Sequence, residues 1–189
     1  MRGRLVTLFA AIIVLGAAAP AAAACDDAGA WLVGRGELVA EPGCAWVLTT
    51  DAEDHAESIG DARLREPVTL PYELELRWQR LDPGGGRTMW LSLVGGDLLF
   101  KNGSVAWFNT LQQLQRDGYL RIPALSSHVE HRFTVRQTES LVELRIDGKL
   151  SARFAYRTGK RRGRVGVGFN AAGGYRGMLR FLDVKVRPQ

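Results

Sequence analysis

Cysteine, histidine and methionine are scarce: the 189 residues hold two, three and three of them. Two cysteines are too few for a thiolate metal cluster or a multiply stapled scaffold. His55, His128 and His131 fall in no ligand spacing with a second histidine or cysteine, so no zinc centre is expected; His128 and His131 straddle a loop-to-strand junction and read as solvent-facing. Asp51, Glu53 and Asp54 come nearest to an oxygen cluster, but no aspartate-rich calcium loop surrounds them. The chain lacks a G-x-S-x-G nucleophile elbow, and Ser92 and Ser104 have no adjacent base. Gly163-x-x-Gly166-x-Gly168 reads as strand, which excludes a dinucleotide loop. The expectation is no cofactor and no metal. Helical periodicity is nearly absent as well. Leu111 and Leu114 allow one short helix over residues 110–116, ended by Asp117-Gly118.

What is present begins at the amino terminus. Met1-Arg2-Gly3-Arg4 is basic, residues 5–15 are almost wholly apolar, and residues 17–24 are alanine broken once by Pro20. That order describes a secretory signal peptide, with cleavage near Ala24 and a periplasmic or secreted product. The apolar run is too short to span a bilayer, which takes roughly 20 residues, and no later segment approaches that length, so no transmembrane segment is expected. Residues 25–189 then form one domain of about 165 residues, enough for a full core. Losing Arg2 and Arg4 lowers the formal charge from +5 to +3. So modest an excess, interleaved with acids, does not suit nucleic acid. Lys160-Arg161-Arg162-Gly163-Arg164 is the dense basic patch; it reads as a solvated loop entering a strand, or as a surface for an anionic glycan or phospholipid.

Cys25 and Cys44 both lie near the start of the exported chain. In an oxidising compartment an isolated pair reads as one disulfide, closing a loop of about 20 residues and contributing roughly 3 kcal/mol. The rival is lipidation of Cys25, directly behind the small-residue stretch. The missing large aliphatic residue three places earlier, and the orphaning of Cys44, favour the disulfide.

The remainder is strand. Residues 31–39 read as a first strand and 45–50 as a second, with Pro42-Gly43 turning between them, and 51–61 as an acidic surface loop. Residues 72–78 alternate strictly, with Tyr72, Leu74, Leu76 and Trp78 on one face and Glu73, Glu75 and Arg77 on the other. Gly95-Gly96, Asn102-Gly103 and Asp147-Gly148 are the dipeptides of tight hairpins. Phe133, Val135, Val142, Leu144, Ile146, Leu150, Phe154, Val165, Val167, Phe169, Phe181, Val184 and Val186 supply inward faces at period two. A register shift near Leu182-Asp183 predicts a bulge in the last strand. The whole is an all-β antiparallel sandwich of eleven or twelve strands with at most one short helix.

Arg132-Phe133-Thr134-Val135-Arg136-Gln137, the Asp147-Gly148 hairpin, Gly163-Arg164-Val165-Gly166-Val167-Gly168-Phe169 and the closing Phe181-x-x-Val184-x-Val186 come in a telling order. It resembles the carboxy-terminal half of a concanavalin A-like lectin/glucanase jelly roll, shared with laminin G-like modules and keto-disaccharide hydrolase-like domains. The resemblance implies the fold and, more loosely, a carbohydrate ligand. The glucanase branch carries E-x-D-x-x-E or E-x-D-x-E, which is absent here. Glu73 and Glu75, about 7 Å apart on one strand face, are the catalytic candidates; the bland alternative is that they pair with arginines across the sheet.

The binding candidates are Gly166, Gly168 and Asn170 on one face of their strand, with Trp90 and Ser92 on a neighbour, and Trp107, Asn109, Tyr175 and Arg176 from nearby ends and loops. Two glycines on one face leave bare backbone, suited either to a ligand or to relief of crowding beneath another segment. An exposed indole beside amide and guanidinium donors suits a sugar. The function expected is an exported glycan- or glycoconjugate-binding domain without catalysis. The alternatives are a glycoside hydrolase or lyase using Glu73, Glu75 or an acid near Asp97, and a structural module with an envelope protein partner.

Overall fold

The computed structural model of the chain describes residues 28–50, 58–81, 86–109, 118–123, 125–126, 128–171 and 177–189. The expected leader at residues 1–24, Cys25, the helix expected over 110–116, and Tyr175 and Arg176 lie outside them. Among the described residues a 3-10 turn, Ala28–Ala30, precedes sixteen strands, more than the eleven or twelve expected, three of them only two residues long. These are β1 (Trp31–Arg35), β2 (Glu37–Glu41), β3 (Ala45–Thr49), β4 (Ser58–Leu64), β5 (Val68–Thr69), β6 (Tyr72–Arg80), β7 (Gly86–Leu93) and β8 (Gly96–Lys101). They continue as β9 (Ser104–Asn109), β10 (Leu120–Arg121), β11 (Glu130–Gln137), β12 (Leu141–Ile146), β13 (Lys149–Ala155), β14 (Arg162–Gly163), β15 (Gly166–Ala171) and β16 (Met178–Pro188).

Two seven-stranded antiparallel sheets stack on one another. One runs β1-β4-β15-β7-β8-β9-β10 and the other β13-β12-β11-β6-β16-β3-β2; β5 and β14 form a small separate ribbon. The alternation read over β6 buries Tyr72, Leu74, Leu76 and Trp78 and leaves Glu73, Glu75 and Arg77 half-buried on the outer side. Trp78 and Phe133 of one sheet meet Phe100 of the other, with ring centroids 4.2–5.5 Å apart, so one aromatic knot ties the two layers. Such pairs contribute roughly 0.5–1.5 kcal/mol each beyond their burial.

Asn102-Gly103 and Asp147-Gly148 turn as their dipeptides predict, with both residues of each at positive φ. The glycine pair slips by one: Leu93 faces Gly96, so Val94 and Gly95 make the turn and Gly96 opens β8. The bulge in β16 is present, with the ladder to β6 jumping between Leu182 and Lys185 and Asp183 at φ 53.

Four sequence expectations change. Residues 31–39 are two strands in different sheets, parted at Gly36 (φ 82), where an added Cβ would stand 2.3 Å from the Thr49 carbonyl oxygen. The supposed loop at 51–61 ends as strand: β4, from Ser58, lies between β1 and β15. Leu150 is 45% exposed, because a register shift between Leu144 and Arg145 gives the inward place to Ala152, while Phe154 faces inward as expected. His131, read as solvent-facing, is partly buried with Nδ1 2.9 Å from the Asp147 carboxylate.

Candidate functional site

The outer face of the sheet that begins with β1 carries a groove of about 530 Å³. Strand register fixes what meets there. Gly168 of β15 stands opposite Asp61 of β4 on one side and Trp90 of β7 on the other, and Trp90 faces Leu99 of β8. One step along, Gly166 separates Arg63 from Ser92; Ser92 faces Asp97, and Asp97 faces Phe108 of β9. Arg35 of β1 pairs in register with Asp61, and Ile59 completes the wall. The period-two alternation that sends Met89, Leu91, Leu98, Val167 and Phe169 into the core sends these residues out.

The glycine strip is filled. A Cβ added at Gly168 would stand 2.3, 2.4 and 2.5 Å from Cε2, Cζ2 and Nε1 of Trp90, so the indole rests on this glycine. A Cβ at Gly166 would meet the Ala62 carbonyl oxygen at 2.3 Å and Cα and Cγ of Arg63 at 2.8 Å. The expectation of open backbone is therefore corrected: the missing side chains seat an indole and an arginine stem. What the ligand space receives is the remaining surface of Trp90, not the glycines.

Charge is arranged unevenly. Asp61 Oδ2 lies 3.8 Å from Arg63 Nε, a loose pair, and the Asp61 carboxylate packs over Gly34. Burial pushes the Asp97 carboxyl above the usual aspartate range. The Ser92 hydroxyl and the Arg63 charge draw it back, and the negative charge of Asp61 raises it. Ser92 Oγ makes no aligned hydrogen bond although it faces Asp97 across the strands, so its pull is that of a nearby dipole.

Of the binding residues expected from sequence, Trp90 lines the groove, while Ser92, Gly166 and Gly168 lie beneath it. Asn170 shares the outer face, opposite Thr88 and Ile59. Trp107 does not belong: it is fully buried, with its ring against Gly96 and 6.1 Å from Tyr156. The alternation of β9 places Trp107 inward and Phe108 outward, and Asn109 follows the phase of Trp107. Tyr175 and Arg176 lie outside the described residues. Reasoning from sequence missed Arg35, Ile59, Asp61, Arg63, Leu99 and Phe108. The signal for β4 was the alternation of Ile59, Asp61 and Arg63, hidden because its inner positions, Gly60 and Ala62, are small.

Glu73 and Glu75 stand on the outer face of the other sheet. Glu75 pairs with Arg132, and Arg187 reaches both carboxylates, at 3.7 Å from Glu73 and 3.2 Å from Glu75. Arg77 beside them pairs with Glu130 and Asp183. The two glutamates thus belong to a cross-strand ion-pair ladder, remote from the groove. Among the described residues no three histidine, cysteine or acidic side chains gather as a metal site, and no helix is long and apolar enough to cross a membrane.

No family model matches this sequence, and no curated protein does. Solved structures do match. The carbohydrate binding module CBM66 from Bacillus subtilis has a TM-score of 0.64 at 11% identity, over 84% of this chain and 95% of that one. The Emp47p carbohydrate recognition domain gives 0.56 at 16% identity, over 82% and 89%. A β-1,3-1,4-glucanase (lichenase) derived from a mouse hindgut metagenome gives 0.66 at 12% identity, over 86% and 95%. With two stacked antiparallel sheets in this order and these three structural neighbours, the chain has the concanavalin A-like jelly-roll fold.

Proposed function

We propose that this protein is an exported, non-catalytic glycan-binding domain whose ligand lies in the groove against Trp90. The observation that carries the reading is the seating of the Trp90 indole on Gly168. A sugar ring offers an apolar face rimmed by hydroxyls, and it needs a flat aromatic surface with polar groups at its edges. Trp90 supplies the surface; Asp61, Arg63 and Asp97 supply donors and acceptors around it. Structural neighbours whose names describe carbohydrate binding and recognition support the class of ligand. Export rests on the leader at residues 1–24, and retention in an oxidising compartment on a Cys25–Cys44 disulfide, which agrees with Cys44 not being a free thiol. An envelope protein partner remains the reading to adopt should glycans fail.

The test is a glycan array probed with the purified protein. Specific retention that Trp90→Ala abolishes, with the β-sheet circular dichroism intact, supports the reading. Retention unaffected by Trp90→Ala removes the groove as the site.

One observation favours a second reading, hydrolysis. Asp61 and Asp97 line the same groove, and two carboxylates flanking one bound sugar are what glycoside hydrolysis employs. Release of reducing ends from a polysaccharide, lost in Asp97→Asn, would establish it.

A further inference from the structure

The two ends of the groove differ in chemistry. At the β1–β4 end stand Arg35 and Arg63; at the β8–β9 end stand Leu99 and Phe108, and Tyr119 packs on Phe108 with ring centroids 6.2 Å apart. Trp90 lies between them. We propose that the groove selects a linear glycan carrying uronic acid residues, a carboxylate held by Arg35 and Arg63 while the neighbouring sugars cross Trp90 toward Phe108. This rests on the glycan reading above and names its ligand class.

Reach argues for a chain rather than a single sugar. Trp90 and Phe108 sit two strands apart, roughly 10 Å at the usual strand spacing. A ligand touching both must span more than one ring.

Charge argues for a carboxylate. Arg35 makes no ion pair among the described residues. Arg63 touches Asp61 only through Nε at 3.8 Å, beyond hydrogen-bond length, and its side chain is 49% exposed. The guanidinium donors therefore face the groove with little to occupy them. Of the two acids, Asp61 packs back over Gly34, and Asp97 stands farther along the groove, between Ser92 and Phe108 in register. A planar guanidinium fork matches a carboxylate in two parallel hydrogen bonds, a match that a sugar hydroxyl does not reproduce.

The experiment is affinity electrophoresis of the purified protein through pectate, alginate and hyaluronan, each compared with its carboxyl-reduced counterpart of identical linkage. The expected result is that at least one acidic polymer retards the protein on the order of ten-fold more strongly than its reduced form. Raising salt from about 0.05 to about 0.5 M should shrink that advantage, because the Debye length shortens several-fold. Arg35→Met with Arg63→Met should erase the advantage yet leave whatever binding the reduced polymer shows. The Met side chain keeps the stem that packs on Gly166, and circular dichroism checks the fold. Binding that survives carboxyl reduction undiminished overturns the acidic selectivity while sparing the glycan reading. A folded protein that binds no polymer in either form overturns the uronic acid assignment, and a blank glycan array as well overturns both.

Discussion

The Tyr72 hydroxyl donates a 2.5 Å hydrogen bond to Gln137 Oε1 inside the core, and Gln137 Nε2 donates at 2.7 Å to the Val94 carbonyl. Gln137 is fully buried. The amide thereby ties two neighbouring strands of one sheet, β6 and β11, to the β7–β8 turn of the other. Burial pushes the Tyr72 hydroxyl far above the ordinary phenol range, so it stays a donor while the fold lasts. Gln137→Leu would strand the Val94 carbonyl and leave Tyr72 without its acceptor. The expected loss is about 2–4 kcal/mol, read by urea denaturation, with Tyr72→Phe costing less. A neutral Gln137→Leu would show that the tie contributes nothing.

Two of the three tryptophans in the groove-bearing sheet, Trp90 and Trp107, should separate cleanly. Trp107→Ala empties core and should cost about 3–5 kcal/mol. Trp90→Ala removes a partly buried ring at the groove and should cost less while ending glycan retention. Paired denaturation curves and array binding check both halves.

Gly168→Ala tests the seat itself. Its backbone is not at positive φ, so any cost comes from the methyl pressing on the indole at 2.3–2.5 Å. The expected outcome is a loss of about 1–3 kcal/mol, a shift in tryptophan emission and weakened retention. Unchanged emission would mean that the ring does not rest there.

Titration should pull in opposite directions on the two faces. Partial burial acts to raise Glu143, but hydrogen bonds and charge from Arg153 and Arg145 carry it below its ordinary value. Its stabilising contribution is then complete above roughly pH 4.3 and lost as pH falls through the lowered folded value. Asp97 is raised, so its penalty is absent below roughly pH 3.9 and grows as pH rises through the raised folded value. Melting temperature against pH should show Asp97→Asn above wild type at pH 7, with the gap closing toward pH 4. Glu143→Gln should lie below wild type at pH 7 and converge in acid. Parallel curves for either variant would refute its assignment.

Glu75→Gln should leave glycan retention intact. The residue lies on the outer face of the other sheet, paired with the exposed Arg132 and Arg187, where such pairs contribute about 1 kcal/mol or less. Lost binding or lost hydrolysis in this variant would return function to that face.

The hairpins, the alternation of β6 and the bulge of β16 were legible because each leaves a local mark: a turn dipeptide, a period, a slipped register. The groove was only half legible. Trp90 was readable from the phase of β7, yet which of Trp107 and Phe108 faces out depends on one step of phase in a strand with hydrophobic residues on both sides. Arg35, Asp61 and Arg63 escaped because β4 hides small residues under Phe169 and shows charged ones, which mimics a polar loop. The glycines drew notice correctly, but a bare position reveals only that something approaches. It does not reveal that the visitor is Trp90.

The extra residue in β16 gives that strand an uneven tolerance to length edits. Leu182 and Lys185 face Arg77 and Glu75, so Asp183 and Val184 together stand opposite Leu76 alone. Excising Asp183 would leave Val184 facing Leu76, with Val186 and Arg187 keeping their own sides, at the cost of a partner for Arg77. Excising a residue one turn of the pleat earlier would reverse sidedness along the strand instead. An otherwise regular strand thus carries one place where evolution or an engineer can subtract a residue without turning the protein inside out.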